Sequence, residues 1–121
     1  MESDKIYTIR EVSKMFDLPV STLRYYEDEG ILTNVGRSAS KQRIYYEAHI
    51  NRLRSICCFK RTGMSIAQLK DFFFFEKDEE NSIDDMIELL ELQRKTVEDK
   101  LKELLADYDN LRFNRIYLPQ R

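Results

Sequence analysis

Between residues 21 and 45 this sequence of 121 residues gathers side chains suited to gripping an anionic polymer. The guanidinium fork of Arg24 can hold a phosphate or the O6/N7 edge of guanine. Ser21, Thr22 and Tyr25 carry hydroxyls that match phosphate oxygens, contacts that set register rather than read sequence. Arg37, Lys41 and Arg43 add the charge density that releases counterions from a nucleic acid. Other chemistry is sparse. Cys57 and Cys58 are adjacent, which cannot make a disulfide framework and fits a reducing cytosol. His49 stands alone and reads as a surface or packing residue. With no base–nucleophile set, phosphate loop or metal-ligand cluster, the sequence predicts no catalytic site, no metal and no cofactor.

These donors must be held by helices. Three Gly and two Pro in the chain, with 42% hydrophobic and 35% charged residues, exclude disordered, collagen-like and loop-rich all-β classes. Thr8-Ile9-Arg10-Glu11 is a capping box with Tyr7 and Val12 placed as a hydrophobic staple, predicting a first helix over 9–16. Asp17-Leu18-Pro19 breaks it. A second helix over 20–29 follows, with Gly30 as a left-handed cap. Two short helices joined by a tight turn make a helix-turn-helix. Ile31-Leu32-Thr33 and Arg43-Ile44-Tyr45-Tyr46 have strand character and predict a hairpin wing with a basic tip. Helical spacing returns over 47–61 and ends at Gly63. Ser65-Ile66-Ala67-Gln68 is a second capping box opening a fourth helix that ends in Phe72-Phe73-Phe74-Phe75. Glu76 to Asn81 reads as a linker and Ser82 as the next N-cap, with Asp84 and Asp85 in the first turn.

From Ile83 no Gly or Pro appears before Pro119. A 3-4 spacing selects Ile83, Ile87, Leu90, Arg94, Val97, Leu101, Leu104, Tyr108, Leu111, Arg115 and Leu118, a heptad seam. A helix of about 30 residues is roughly 45 Å long and overreaches a domain of this size. Its seam needs a partner helix, most simply a second copy of itself. The predicted organisation is mainly α: a winged helix-turn-helix domain over 5–75 and a coiled-coil dimerisation helix over 82–118. Charge follows this division. Residues 1–70 hold 12 Lys/Arg against 8 Asp/Glu, and residues 71–121 hold 8 against 14, so a +4 half and a −6 half underlie the net −2. The pI near 5.5 averages a basic binding half with an acidic half that pairs with itself. No apolar run approaches the roughly 18 residues needed to cross a bilayer, and the acidic, polar Met1-Glu2-Ser3-Asp4 gives no secretory signal, so a cytoplasmic location is expected.

Thr22-Leu23-Arg24-Tyr25-Tyr26-Glu27, then Gly30-Ile31-Leu32 and Arg43-Ile44-Tyr45, preceded by Tyr7-Thr8-Ile9 and Glu11-Val12, strongly resemble the MerR family of bacterial transcription regulators over residues 6 to about 75. The resemblance implies a homodimer joined by an antiparallel coiled coil. Each copy places its second helix in the major groove of double-stranded promoter DNA and its wing on the adjacent backbone. It also implies a palindromic element whose DNA is bent and untwisted, with RNA polymerase engaged indirectly through the promoter. Family contacts fall on Ser21, Thr22, Arg24, Tyr25, Tyr26, Arg43 and Tyr45. One departure is evident: family wings carry Gly-Tyr before the Arg, where this chain has Lys41-Gln42.

Several residues admit two readings. Tyr25 and Tyr26 point about 100° apart on a helix and cannot both face the DNA equally, so one packs into the core, and Tyr26 reads either as a contact or as a purely structural residue. The Phe72–Phe75 run packs under the long helix or lines an effector pocket. Ile56-Cys57-Cys58-Phe59-Lys60 resembles a MerR subgroup that answers aldehydes and other electrophiles through a cysteine at the position of Cys58. Lys60 and Arg61 supply positive charge beside that thiol. The other reading makes Cys58 a small structural residue, as Cys57 is on its buried stripe. Metal sensing by the family's usual cysteines is not expected, since residues 59–121 contain none, and the chain length predicts no large effector domain. Two alternatives to a signal-responsive regulator remain: a coiled-coil protein-interaction adaptor, and a constitutive architectural DNA binder.

Overall fold

Thr8 ends a strand and begins a helix. Its hydroxyl accepts the N–H of Glu11 at 3.1 Å while the Glu11 carboxylate accepts the N–H of Thr8 at 2.9 Å, the capping box read from the sequence. The computed structural model describes residues 5–117, with side chains as far as residue 113. Strand β1 (Ile6–Thr8) leads into α1 (Ile9–Phe16), and α2 (Val20–Asp28) follows across a short turn. The turn is made by Asp17 at φ 52°, by the Leu18 N–H on the Ser13 carbonyl at 3.0 Å, and by the Ser13 hydroxyl on the Leu18 carbonyl. Gly30, at φ 76°, stops the second helix in a conformation that other residues adopt at a cost.

The wing differs from its prediction. Ile31-Leu32-Thr33 is not a strand: Ile31 and Leu32 are buried, and their N–H groups both bond the Tyr26 carbonyl, at 2.9 and 3.1 Å. They wrap the end of α2 and have no donors left for a ladder. The strand that pairs is β2 (Gly36–Arg37), against β3 (Arg43–Tyr46) in antiparallel register with Gly36 opposite Ile44 and Arg37 opposite Arg43. On its other side β3 takes β1, with Ile6 opposite Tyr46 and Thr8 opposite Ile44. The sheet order is β1-β3-β2, so the wing is anchored to the start of the chain. Tyr7 therefore sits in a strand, its hydroxyl donating to Glu47 at 2.8 Å.

Helix α3 (Glu47–Arg61) and helix α4 (Ile66–Glu76) complete the domain. Ser65 and Gln68 form the second capping box as read, at 3.1 and 2.8 Å. Leu23, Tyr26, Tyr45, Ile50, Leu53 and Ile56 form the centre of one core shared by α2, β3 and α3. His49 is buried there, its Nδ1 accepting the Tyr46 N–H at 2.9 Å and its Nε2 meeting the Thr33 carbonyl at 2.8 Å. In the phenylalanine run Phe72 and Phe73 are buried, Phe75 is half-buried and Phe74 is exposed. The Arg52 guanidinium lies 4.2 Å from the Phe73 ring centroid.

Helix α5 (Glu79–Tyr117) opens three residues before the Ser82 cap that the sequence predicts. The Asp78 carbonyl accepts the Ser82 N–H at 2.9 Å, which draws most of the expected linker into the helix, and Glu79 and Glu80 suit its positive end. Leu118, the last residue of the predicted seam and helix, lies outside the described residues. Two faces of α5 have different fates. Met86 and Gln93 are buried, and Leu89 and Val97 half-buried, against the domain. The seam residues Ile87, Leu90, Leu101, Leu104, Tyr108 and Leu111 are exposed, from 37% at Leu90 to 70% at Leu111. Of the predicted seam positions between 87 and 111, Val97 alone is partly covered by its own chain.

Candidate nucleic-acid interface

Arg24 leaves α2 on its exposed face, between Leu23 and Tyr26 in sequence but turned away from their buried stripe. The wing brings Lys41 and Arg43 to it. These three cations, with Thr8, Ile9, Arg10 and Gln42, line an open cleft of about 600 Å³. Arg10 was not singled out in the sequence, although it falls in the first turn of a capped helix. That first turn matters because its free N–H groups carry the partial positive charge of a helix N-terminus, which favours a phosphate. Four basic side chains and a helix N-terminus thus converge on a concavity open to solvent.

The other predicted contacts are distributed around this cleft. Ser21 and Tyr25 are exposed on α2, Thr22 is half-buried, and Arg37 is exposed on β2. Two predicted contacts lie elsewhere. Tyr26 is 5% exposed and Tyr45 wholly buried, so both belong to the core and offer a ligand almost no surface. Tyr26 follows from helix geometry, since facing Leu23 inward turns Tyr26, three residues on, inward as well. Tyr45 follows from strand alternation between the buried face and the half-buried Ile44. Burial raises the pKa of both phenols.

A carboxylate not anticipated among the site residues organises the basic ones. Glu27 accepts Arg37 Nη2 at 2.7 Å through one oxygen and Arg43 Nε at 2.6 Å through the other. Burial acts to raise its pKa, but the hydrogen bonds and charges of Arg43 and Arg37 outweigh that and hold the carboxyl below its ordinary range. The bond to Glu27 in turn raises the pKa of Arg43. The signal for Glu27 in the sequence is only its position, three residues after Arg24 on the same helix; its partners come from the wing.

Wing geometry is unusual at one point. Lys41 sits at φ 66°, in the left-handed region that glycine adopts without strain. Its N–H donates to the Ser38 carbonyl at 2.8 Å, closing the turn at the wing tip.

Residues 7–73 match the MerR HTH family regulatory protein profile. The chain belongs to the MerR family. An HTH-type transcriptional regulator of Haemophilus influenzae is 31% identical over 107 residues, covering 88% of this chain and 79% of that protein. The Bacillus subtilis transcriptional regulator AdhR is 39% identical over 64 residues, 53% of this chain and 46% of its own length. Among solved structures, HiNmlR, a MerR family regulator lacking the sensor domain and bound to promoter DNA, superposes with a TM-score of 0.85. It is 29% identical, over 93% of this chain and 86% of that one. This MerR protein is accordingly a DNA-binding transcriptional regulator with a winged helix-turn-helix, and its relatives are regulators rather than enzymes. The left-handed Lys41 falls at the position for which the resemblance gave glycine, the residue that adopts this conformation without strain.

Of the two cysteines, Cys57 is half-buried and burial pushes its thiol pKa up, whereas Cys58 is exposed on α3. Arg54 and Arg61 occupy the positions four before and three after Cys58, one helix face. No helix among the described residues is long and apolar enough to cross a membrane, and none of the described residues form a His/Cys/Asp/Glu cluster able to hold a metal.

Proposed function

We propose that this chain acts as a homodimer on a two-fold symmetric promoter element, placing α2 in the major groove and the wing on the neighbouring backbone. The observation that carries this reading is the cleft where Arg10, Arg24, Lys41 and Arg43 converge beside the first turn of α1. Phosphates bound there fix the register of α2, and Arg24, Ser21, Thr22 and Tyr25 then face the groove. The unpartnered seam of α5 supplies the second copy, and two copies held at a fixed spacing read two half-sites and distort the DNA between them. Residues 5–75 serve as the DNA-binding unit and α5 as the dimerisation helix.

The exposure of Cys58, with Arg54 and Arg61 on its face of α3, supports a response to aldehydes or other electrophiles through that thiol. In such a response the thiolate adds to the carbonyl carbon of the aldehyde, and the resulting alkoxide takes a proton from water to give a thiohemiacetal.

Footprinting tests the main reading. Wild-type protein is expected to protect a two-fold symmetric promoter site with an affinity that falls steeply with salt. Arg24→Ala is expected to weaken that site by about 1–3 kcal/mol while the protein stays folded. Failure of the wild-type protein to bind any duplex at low salt would leave the chain as a coiled-coil adaptor.

A further inference from the structure

Arg37 and Arg43 face each other across the β2–β3 ladder, a like-charged pair directly opposite in an antiparallel hairpin. Such pairs repel, and β2 contributes only Gly36 and Arg37 to the ladder, which continues at the wing tip through the Ser38 N–H on the Gln42 carbonyl at 2.8 Å. Both guanidiniums reach past each other to one acceptor on a different element, the Glu27 carboxylate of α2, which spends one oxygen on each strand of the wing. Arg43 at the same time lines the cleft with Arg10, Arg24 and Lys41.

We propose that Glu27 is a specificity-determining positioning residue: it ties both strands of the wing to the recognition helix and keeps two guanidiniums from contacting phosphate indiscriminately. This rests on the DNA-binding reading of the cleft. A wing locked to α2 can place Arg43 on a phosphate only when α2 is in register in the groove, so backbone contacts and base contacts are made together. A wing freed from α2 carries one more net positive charge and can seat on any duplex. Glu27 therefore lowers affinity for random DNA and raises the ratio of specific to non-specific binding. It touches no base itself.

The test uses the full chain and two duplexes of equal length, one selected by the wild-type protein from a randomised pool and one of unselected sequence. For Glu27→Gln, the ratio of the two affinities is expected to fall about tenfold, mainly through tighter binding to the unselected duplex. The slope of log affinity against log salt is expected to steepen by about one as freed guanidiniums reach phosphates. Adding Arg37→Ala to Glu27→Gln should return the slope toward wild type, a change that loss of stability alone does not produce. Glu27→Asp retains the charge but is one methylene too short to hold both strands, and is expected to lose part of the ratio with the slope nearly unchanged. If Glu27→Gln does not fold, Glu27→Asp decides the matter. Wild-type ratios and slopes in the folded variants overturn the role of Glu27 while leaving the DNA reading intact; a wild-type protein with no preference for any selected duplex overturns both.

Discussion

The Tyr45 hydroxyl is cut off from water and has no hydrogen-bond partner among the described residues. An unmade hydrogen bond in a core costs about 1–3 kcal/mol of desolvation, so this oxygen works against the fold while the ring it sits on supports it. Tyr45→Phe is expected to leave thermal stability unchanged or raise it by up to about 1 kcal/mol, with DNA affinity unaltered. A tenfold loss of affinity in that variant would instead give the hydroxyl a place in the interface. At the same scale, Cys58 owes its availability to one position on a helix: its neighbour Cys57 is half-buried, with its thiol pKa raised. Formaldehyde or methylglyoxal added to the protein–promoter complex is expected to change transcription with wild-type protein and not with Cys58→Ser. Equal responses from the two proteins would remove the thiol from the mechanism.

At the scale of elements, the junction of α5 with the DNA-binding domain depends on a polar contact. Gln93 is buried, and its amide donates to the Thr62 carbonyl at 2.8 Å and the Thr62 hydroxyl at 3.1 Å, at the end of α3. Thr62 in turn donates from its hydroxyl to the Phe59 carbonyl at 2.6 Å, so the helix end, its cap and α5 form one chain of hydrogen bonds. Gln93→Ala strands that carbonyl in a site shaped for the amide, and is expected to cost about 1–3 kcal/mol by chemical denaturation. Hydrogen exchange should increase at the start of α5 and at the end of α3, while α1 and α2 keep their protection. Uniform loss of protection would mean that α5 and the domain unfold together and that Gln93 is not a separate junction. This contact was not legible in the sequence. The heptad pattern scores apolar positions and takes Arg94 between Leu90 and Val97, so Gln93, beside that seam, is recognisable only once Thr62 is next to it.

For the whole molecule, the consequence of α5 is an apolar surface that its own domain does not reach. A helix of 39 residues projects well past a domain that covers Met86, Leu89, Gln93 and Val97. Leu101, Leu104, Tyr108 and Leu111 are more than half exposed in the single chain, a continuous patch of the kind that marks an interface. Leu101→Asp places a charge in the middle of that patch and is expected to give monomers by sedimentation velocity, with loss of the two-fold footprint and little change in the helix-turn-helix core. A variant that stays dimeric would move the interface to another face.

The elements that the sequence determined are those whose information is local. Capping boxes at Thr8 and Ser65, the stop at Gly30 and the seam of α5 each involve residues within a turn or a few turns of one another, and spacing alone reports them. Arg24, Lys41 and Arg43 were readable as basic side chains of a helix and a wing, while their convergence on one cleft appears only in the folded chain. Tertiary structure decided what depends on pairing between distant segments. Ile31 and Leu32 look like a strand from their side chains, yet their N–H groups are taken by Tyr26, and the wing strand forms at Gly36–Arg37 instead. Strand β1 exists only because β3, almost 40 residues later, offers it a partner edge. Tyr26 and Tyr45 carry the same hydroxyl as Tyr25, and only packing separates core from surface. Glu27, an ordinary helix residue by composition, becomes the counter-ion of the wing because folding brings two arginines from 10 and 16 residues away onto its two oxygens. Spacing along a chain specifies what one helix or cap can do; which strands pair, which tyrosine is dry and which carboxylate is shared are settled by contacts that exist only after the chain has closed on itself.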